Sequence, residues 1–363
     1  MKDEPLIYGF MSQALSLAIK GAGKAKPNPC VGCVIVRNKN IIGQGYHSKA
    51  GGMHAEIIAL KEAGELSRNA DLYVTLEPCA HYGRTPPCID SIISAGIKRV
   101  FIAMEDPNPL VNGKGISMLR ENNIEVITDI LIEQAKEINL GFISRMTLSR
   151  PYIRSKIATS LDGRTSLLSG ESQWISSEDS RRDVQIWRDK SCAILTGVGT
   201  VNHDNPNLTV RHISSRQQPL RIILDSHLSI NLNSKILTQE NVLLVYGDDP
   251  KNKLKLLTDS KVCTHQLPLC NKKINLHKLM EHLAKIEINN LLVEAGPDLN
   301  GSFLELGLID ELITYMAPIF LGGNANPMFN NPILKSIKNK IHLKLHDVRS
   351  VGCDLRIQSR VIR

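Results

Sequence analysis

Residues 54–88 read HAEIIALKEAGELSRNADLYVTLEPCAHYGRTPPC, and the fold can be worked out from this stretch. It contains His54, Cys79 and Cys88. One imidazole and two thiolates are ligands that zinc prefers, and three protein ligands leave the fourth tetrahedral position open for water. Glu56 follows His54 by two residues, at the start of a predicted helix, so its carboxylate can lie over that water without binding the metal. The stretch therefore predicts an open, catalytic zinc site with Glu56 beside the bound water.

The order of these motifs resembles that of zinc nucleobase deaminases, in which His-x-Glu is followed by Pro-Cys and a second cysteine, and in which this glutamate carries the proton. One departure is that eight residues separate Cys79 from Cys88, where the general pattern has two. Two other interpretations stay open, namely that the thiols are unrelated or that the metal is structural. Both motifs occur in the right order and each stands beside a strand-like run, which favours the deaminase.

The enlarged spacing carries a closer resemblance. TLEPC at 75–79 and GRTPPC at 83–88 resemble the deaminase half of the bifunctional riboflavin-biosynthesis deaminase/reductase family. The resemblance implies hydrolytic deamination of 2,5-diamino-6-ribosylamino-4(3H)-pyrimidinone 5′-phosphate with Zn²⁺, then reduction of its ribosyl group to ribityl with NADPH. It also implies a phosphorylated pyrimidine as the small-molecule substrate and a homo-oligomer, either a dimer or a tetramer.

The net charge of +8 raises the question of a nucleic-acid partner. Residues 1–145 hold 16 Lys and Arg against 15 Asp and Glu, whereas the remainder holds 28 against 21. The half with the deaminase motifs is therefore nearly neutral, and an enzyme that follows a nucleic-acid backbone needs a basic groove there. We accordingly expect no nucleic-acid partner.

Length and composition indicate two α/β domains in a reducing compartment. A chain of 363 residues exceeds the size of one ordinary core. The longest apolar runs stay below the roughly 18 residues that indicate a membrane-spanning helix, and the acidic N-terminus lacks the features of a signal peptide.

The eight cysteines have no dense spacing pattern, which favours the cytoplasm. Cys30 and Cys33 are three apart in an extended segment and so point to opposite faces, which makes Cys33 a small buried hydrophobe.

The first half alternates strands with helices. A helix is predicted over 7–20, with Met11, Ala14, Leu15, Ala18 and Ile19 on one face. Hydrophobic runs predict strands at 31–36, 41–46, 71–76, 98–104 and 124–127, and helices at 56–63, 87–95, 114–121 and 129–139. This order predicts a layered sheet with the zinc motifs at strand-to-helix turns along one edge. With the family resemblance, it implies a cytidine-deaminase-like three-layer α/β/α domain.

The second half begins where residues 141–151 end the helical pattern and start a new strand. We therefore expect a deaminase domain over 1–146 and a reductase domain over 147–363. Strands are predicted at 152–158, 192–196, 220–224, 242–246, 290–294 and 312–317, with a turn at 159–164 and helices at 178–189, 277–285 and 298–306. No complete G-x-G-x-x-G follows a strand, and Gly197 with Gly199 is weak evidence for a nucleotide site. The tail after about residue 323 offers no usable pattern, and His342 and His346 are most simply surface residues.

Several segments of the second half resemble the reductase half of the same family. They include KIATSLDG at 156–163, SQWI at 172–175, AILTGVGTV at 193–201 and EAGP at 294–297. That reductase is similar in fold to dihydrofolate reductase, which also lacks the Rossmann fingerprint. The resemblance therefore implies a dihydrofolate-reductase-like α/β domain that uses NADPH.

The resemblance also implies the residues on the substrate side of the deaminase. Asn28 and His47 match positions that hold the pyrimidine or the ribose in that family. Their chemistry suits this role, since an amide can pair with a heterocycle edge and an imidazole can donate to oxygen. Arg84 is expected on the substrate phosphate, which its guanidinium fork fits, and Asp106 and Asn108 are expected nearby. The alternative for Asn28 is a turn residue between two prolines.

In the reductase half the resemblance implies two sets of ligands. NADPH is expected to contact Ala158, Trp174, Thr200, Asp204 and the helix-opening loop formed by Gly296, Pro297, Asp298, Leu299, Asn300, Gly301 and Ser302. The substrate is expected to contact Ser172, Arg188, Leu208, Arg211 and Glu294, and Lys156 is a candidate proton donor. Taken alone, Trp174 could be core, Arg188 a surface cation and the two glycines of 197–199 a tight turn.

Two other functions were weighed. One is a zinc deaminase of tRNA or of a free nucleoside with an auxiliary second domain, which the near-neutral first half and the enlarged cysteine loop disfavour. The other is a non-catalytic, zinc-stabilised nucleic-acid-binding protein, which leaves Glu56 without a role. A bifunctional zinc deaminase and NADPH-dependent reductase accounts for more of the motifs than either.

Overall fold

The computed structural model describes residues 4–80, 87–109, 111–213, 217–260, 262–330 and 336–362. The chain forms two compact units, Met1–Ser149 and Arg150–Arg363. Within the described residues, no helix is long and apolar enough to cross a membrane.

The first unit alternates strands and helices along the chain. Its elements, in order, are α1 Glu4–Lys20, β1 Gly32–Arg37, β2 Asn40–Tyr46, α2 Ala55–Ala63, β3 Asp71–Val74, α3 Cys88–Ser94, β4 Arg99–Ile102, α4 Lys114–Glu121, β5 Glu125–Ile127, α5 Ile132–Ile138 and α6 Leu140–Leu148. They build one sheet of order β2-β1-β3-β4-β5, in which β1 is antiparallel to β2 and β3 while β3, β4 and β5 are parallel.

Alternating side chains of this sheet enter two separate cores, because successive residues of a strand point to opposite faces. On one face Cys33, Leu72 and Val100 pack with the buried sides of α2, α3 and α4. On the other face Val34 and Tyr73 pack with α1, α5 and α6. The unit is therefore the three-layer α/β/α sandwich that the alternation predicts, with Cys33 buried as expected.

The second unit is built on a larger sheet. Its elements are β6 Tyr152–Ser160, β7 Arg164–Ser166, α7 Glu178–Lys190, β8 Ala193–Gly197, α8 Val198–Asp204, β9 Leu220–Asp225, β10 Val242–Tyr246, α9 Leu254–Asp259, β11 Cys263–Gln266, β12 Leu269–Cys270, β13 Lys273–Ile274, α10 Leu276–Lys285, β14 Asn290–Val293, α11 Pro297–Glu305, β15 Glu311–Ala317, β16 Asn326–Pro327, β17 Leu343–Val351 and β18 Asp354–Val361. The sheet order is β11-β10-β9-β8-β14-β6-β15-β18-β17. In this sheet order, the seven strands from β11 across to β15 are parallel to one another, and β18 and β17 add an antiparallel edge.

Three sequence-based expectations about the fold are wrong. Helix α6 occupies residues where a strand was expected to begin, and its apolar side joins the core of the first unit. Strand β6 continues through Ser160, beyond the expected turn, because β15 pairs with it to that residue. Ile19 is 57% exposed rather than buried.

The tail, for which no prediction was made from the sequence, forms the β17–β18 hairpin. His342 and His346 are exposed, as expected.

Candidate active sites

The three predicted metal ligands of the first unit come together. One ligand atom from each of His54, Cys79 and Cys88 lies within 4.8 Å of the other two. The Nδ1 atom of His54 is 3.1 Å from Sγ of Cys88 and 3.6 Å from Sγ of Cys79. Tetrahedral zinc, with bonds of about 2.0–2.3 Å, holds its ligands roughly 3.5 Å apart. The donor set therefore fits zinc both in chemistry and in spacing.

Secondary structure explains why these ligands converge. His54 precedes the first residue of α2, and Cys88 is the first residue of α3. Cys79 follows β3 and accepts a hydrogen bond from the backbone N–H of Cys88, with 3.4 Å between nitrogen and sulfur. The hydrogen bond between the two thiols lowers the pKa of Cys79 and raises that of Cys88, and burial further raises the pKa of Cys88. A thiolate, the form that binds metal, is thus favoured at Cys79.

Glu56 lies beside this cluster on the first turn of α2. Its side chain is 3% exposed and interacts with both Cys79 and Cys88. Burial raises the pKa of its carboxyl group, and the negative charge of Cys79 acts in the same direction. An enclosed carboxylate whose affinity for a proton is raised is suited to taking up and returning protons.

On the substrate side, Asn28 and His47 are joined to each other. Nδ1 of His47 donates to the carbonyl oxygen of Met53 at 3.1 Å, so Nε2 accepts from Nδ2 of Asn28 at 3.0 Å. The ring of His47 is buried, which lowers its pKa, and stands edge-on to His54. Both nitrogens of His47 are therefore engaged within the protein. The sequence suggested that His47 donates directly to a substrate oxygen. In the structure its two ring nitrogens are bonded to Asn28 and Met53.

The loop that carries Asp106 and Asn108 is organised by Glu77, a residue to which the sequence analysis gave no role. The buried Glu77 carboxylate accepts backbone N–H groups from Asp106, Gly113, Gly115 and Ile116 at 2.9–3.2 Å. Oδ1 of Asp106 in turn accepts the N–H of Asn108 at 2.8 Å. The sequence did contain a signal for Glu77, because this charged residue stands between a buried apolar run and the Pro-Cys motif.

Asp106 and Asn108 follow β4, while Cys79 follows the neighbouring parallel strand β3. Burial raises the pKa of Asp106 to about 6, and the negative charges of Glu77 and Cys79 act in the same direction. Because β3 and β4 are neighbouring parallel strands, the segments that follow them lie at the same edge of the sheet. Arg84, the expected phosphate ligand, lies outside the described residues.

A cavity of about 1530 Å³ lies within the second unit, along the carboxyl ends of the parallel strands. Ligand pockets usually have volumes of about 300–1,000 Å³, so this one has room for a dinucleotide and a second ligand. Most of the predicted reductase residues line it: Lys156, Ala158, Ser172, Trp174, Arg188, Thr200, Asp204, Leu208, Arg211, Glu294, Gly296, Pro297, Asp298, Leu299 and Ser302.

The charged wall of this cavity is built around an ion pair. Nε and Nη2 of Arg188 donate to the two carboxylate oxygens of Glu294 at 2.6 and 2.9 Å, and Nη1 donates to the carbonyl oxygen of Thr209 at 3.0 Å. Both side chains are only 10% exposed. Burial opposes the charged form of Glu294, but Arg188, Lys156 and Arg211 hold its pKa below the usual value. Arg188 is thus a buried partner of Glu294 rather than a surface cation, and three of its N–H groups are already used.

Lys156 lies on β6 next to this pair. Burial lowers the pKa of its ammonium group, while Glu294 partly opposes that effect. In the described part of the chain, no hydrogen-bond partner is found for the Lys156 ammonium. Lys156 therefore carries a proton beside the cavity that it holds less tightly than an exposed lysine does.

The expected cofactor loop enters the cavity only in part. Residues 296–299 and Ser302 line it, at the start of α11. Asn300 faces the core instead, where it bonds Ser155 and the carbonyl oxygen of Ala295, and a side chain on Gly301 would meet Asn330. These two residues lie on the buried side of the helix and do not line the cavity. Trp174 is 68% exposed with the guanidinium of Arg181 over its ring, so it is not core.

The cavity also reaches residues that the sequence analysis did not name. Ser226 and Ser229 follow β9, and Lys272 lies in the hairpin between β12 and β13. The buried carboxylate of Asp225 fixes the first of these segments by accepting from Ser229 and Ile230. The position of Ser226 directly after a predicted strand was a usable signal, because α/β sheets bind ligands beyond the carboxyl ends of their strands.

Comparison with known families matches both units. Residues 7–104 match the cytidine and deoxycytidylate deaminase zinc-binding region, and residues 151–357 match the RibD C-terminal domain. The riboflavin biosynthesis protein RibD of Bacillus amyloliquefaciens is 43% identical over 354 residues, which cover 96% of this chain and 94% of that protein. The chain belongs to the RibD family.

Other RibD proteins agree along the whole length. RibD of Escherichia coli (strain K12) is 42% identical over 360 residues, covering 95% of this chain and 97% of that protein. The structure of Acinetobacter baumannii RibD superimposes with a TM-score of 0.92 at 42% identity, covering 99% of each chain. A deaminase/reductase structure from Thermotoga maritima gives 0.87 at 32% identity, again with 99% of each chain.

Membership in the RibD family confirms the predicted fold class and the bifunctional character of the enzyme. The chain is a deaminase and a reductase of riboflavin biosynthesis, with Zn²⁺ serving the first activity and NADPH the second. The second unit matches the RibD C-terminal domain, so it is not an auxiliary module of a tRNA or nucleoside deaminase. That function and the non-catalytic nucleic-acid-binding protein are not favoured.

Proposed function

We propose that the first unit deaminates 2,5-diamino-6-ribosylamino-4(3H)-pyrimidinone 5′-phosphate and that the second reduces the ribosyl group of the product. The observation that carries the proposal is the presence, in one chain, of the His54, Cys79 and Cys88 cluster with Glu56 and of a separate cavity with Lys156 and Glu294. The Thermotoga maritima relative is named for this pair of activities, as a diaminohydroxyphosphoribosylaminopyrimidine deaminase and 5-amino-6-(5-phosphoribosylamino)uracil reductase. We further propose that the protein is a homo-oligomer and that it acts in the cytoplasm. Both statements stay predictions from the sequence.

In deamination, His54, Cys79 and Cys88 would hold a Zn²⁺ ion, which would supply an acidified water with a pKa of about 7. Glu56 takes up one proton of the attacking water and delivers it to the departing amino nitrogen, which leaves as ammonia. The other proton of the water passes to the ring nitrogen beside the new carbonyl group, so that one water is consumed and one ammonia is released. Asn28 orients the pyrimidine ring, and Asp106 and Asn108 close the site from the loop after β4.

In reduction, the residues around the ion pair bind the sugar. NADPH supplies a hydride to C1′ of the ribose. Glu294 accepts from sugar hydroxyl groups, Arg211 and the remaining N–H groups of Arg188 face the phosphate, and Ser172 and Leu208 complete the wall. Lys156 donates a proton to the ring oxygen as the bond between C1′ and that oxygen breaks. The ribose ring thereby opens to a ribityl chain.

The proposal is tested by mass analysis of products. The purified chain is incubated with the diaminopyrimidinone phosphate, with and without NADPH. Without NADPH we expect the exchange of one amino group for oxygen. With NADPH we expect the same exchange followed by the gain of two hydrogens. An unchanged substrate in both reactions, with zinc present, would overturn the assignment.

Removing the metal is expected to separate the two activities. A chelator that strips the first unit should abolish deamination, because the acidified water is lost, and added Zn²⁺ should restore it. Reduction of the already deaminated intermediate should continue at its original rate, since the cavity of the second unit contains none of the metal ligands. Zinc content measured by elemental analysis accompanies each assay, and deamination by fully metal-free protein would contradict the site.

The reductase is expected to lose activity at high pH. Lys156 must be protonated to act as an acid, and burial places its pKa below the ordinary value of 10.5. The kcat for reduction should therefore fall as pH rises through this lowered pKa. Lys156→Met should give a low rate without that alkaline fall, whereas Lys278→Met, at an exposed position on α10, should keep the original profile. An unchanged profile in Lys156→Met would remove Lys156 as the donor.

A further inference from the structure

Asn139 connects the C-terminal helices of the first unit to the segment that carries Asn28. Its Oδ1 accepts the backbone N–H of Cys30 at 2.8 Å, and its Nδ2 donates to the backbone carbonyl oxygen of the same residue at 3.0 Å. The side chain is 4% exposed. The two residues are 109 positions apart, and Asn139 lies beyond residues 7–104, which match the deaminase zinc-binding region.

The location of Asn139 makes this use of its side chain informative. It stands where α5 ends and α6 begins, and its backbone carbonyl accepts the N–H of Ile143. An asparagine that precedes a helix ordinarily uses its side chain to cap the first free N–H groups. Here the amide is used on Cys30 instead. The Asn139 amide accepts from the N–H and donates to the carbonyl oxygen of one residue through its two ends, which a carboxylate cannot do because it does not donate and an aliphatic side chain cannot do at all.

The segment held in this way contains two residues that cannot donate a backbone hydrogen bond. Pro27 and Pro29 flank Asn28 and have no N–H group to donate. The backbone N–H of Asn28 donates to Ala25, and the carbonyl oxygen of Val31 accepts from His47. Between these two positions, the bonds from Asn139 to Cys30 anchor the segment to the helical layer.

The side chain of Asn28 is held from a second direction. His47 accepts from Asn28 and donates to Met53, the residue before the zinc ligand His54. The backbone anchor at Asn139 and the side-chain anchor at His47 together fix both the position and the rotation of the Asn28 amide. Without Asn139, the segment could move while the Asn28–His47 bond followed it.

We propose that Asn139 is a positioning residue of the deaminase, which acts through Cys30 to hold the Asn28 amide in register with the metal cluster. The proposal rests on the proposed role of Asn28 in binding the pyrimidine. Asn139 itself does not touch the substrate. Its contribution is expected in substrate binding, because the proposed role of Asn28 is to bind the pyrimidine and the proton transfers are assigned to Glu56.

The test compares Asn139→Leu with Asn139→Asp, Asn28→Ala and the double variant Asn28→Ala/Asn139→Leu. A misplacement of about 1 Å can reduce efficiency about 10²-fold, so we expect Asn139→Leu to raise the KM for deamination about 10–100-fold with little change in kcat. Asn139→Asp keeps the acceptor for Cys30 and loses the donor, and should retain no more activity than Asn139→Leu, because its carboxylate faces the carbonyl oxygen of Cys30. In the Asn28→Ala background, Asn139→Leu should have no further effect.

Two measurements separate positioning from a loss of folded protein. The zinc content and the rate of reduction of the deaminated intermediate, both assayed on the same chain, should equal those of the unsubstituted protein. The matched control is Asn122→Leu at the exposed end of α4, which should leave both activities unchanged. A partly unfolded variant would instead lose zinc and apparent kcat together at constant KM.

Two outcomes distinguish failure of this proposal from failure of the proposed function. If Asn139→Leu lowers activity equally with and without Asn28, or lowers zinc content in proportion, Asn139 is structural only and the positioning role is wrong. If Asn28→Ala itself leaves the KM for deamination unchanged, the assignment of Asn28 to the substrate fails first. The expected result is a KM effect that requires Asn28.

Discussion

Glu56→Gln is expected to lower the kcat for deamination by about 10²–10⁴-fold, the usual contribution of a positioned general acid and base. Glutamine keeps the size and the buried position of the side chain but cannot carry a proton between water and the departing nitrogen. His54, Cys79 and Cys88 are untouched, so the zinc content should stay the same. Reduction of the deaminated intermediate should proceed at the normal rate.

The control for Glu56→Gln is Glu65→Gln, which makes the same chemical change at an exposed residue just after α2 and should leave both activities intact. Deamination is followed by ammonia release, reduction by oxidation of NADPH, and zinc by elemental analysis. Undiminished ammonia release by a zinc-loaded Glu56→Gln protein would remove Glu56 from the mechanism. Loss of zinc would show instead that Glu56 supports the ligands.

Arg188→Met is expected to destabilise the second unit by about 3–5 kcal/mol, because it leaves the buried Glu294 carboxylate without its partner. Reduction should fall about 10²-fold or more as the sugar-binding wall is displaced. Both tryptophans, Trp174 and Trp187, lie in the second half, so their fluorescence during urea unfolding reports on this unit. Deamination should be unaffected at temperatures where the chain stays folded.

A double variant separates the stability effect from the functional effect. Arg188→Met/Glu294→Gln removes both charges, and we expect most of the lost free energy of unfolding to return, while reduction stays impaired. Arg182→Met is the matched control, since its pair with Glu178 on the same helix is about two-thirds exposed and should contribute no more than about 1 kcal/mol. Equal destabilisation by Arg188→Met and Arg182→Met would contradict the buried pair.

Sequence reasoning succeeded best where one local pattern determines the outcome. The apolar residues of helix α4 and the continuous apolar run of strand β10 predicted both elements at their observed ends. The candidate metal ligands could be named because zinc restricts both residue type and order. Even so, a motif could not say that His54, Cys79 and Cys88 lie at contact distance, since that depends on the packing of α2 and α3 beside β3.

The contacts that the sequence could not predict depend on partners distant in sequence. The bond between His47 and Asn28 and the pairing of Arg188 with Glu294 join residues 19 and 106 positions apart, which no local window contains. Asn300 matched a family segment, but its side of helix α11 is set by Ser155 on β6. Strands β17 and β18 were missed because β17 is largely exposed and lacks the alternation of a half-buried strand.

The ion pair between Arg188 and Glu294 also restricts how the reductase can diverge. A change at either position alone passes through an intermediate that is weakened by about 3–5 kcal/mol, a large part of the roughly 5–15 kcal/mol that keeps a typical domain folded. Descendants of this enzyme are therefore expected to keep both residues, to exchange them together, or to acquire compensating substitutions first. Alteration of substrate preference by single steps is more accessible at Arg211, which is exposed and can be replaced without leaving a buried charge behind.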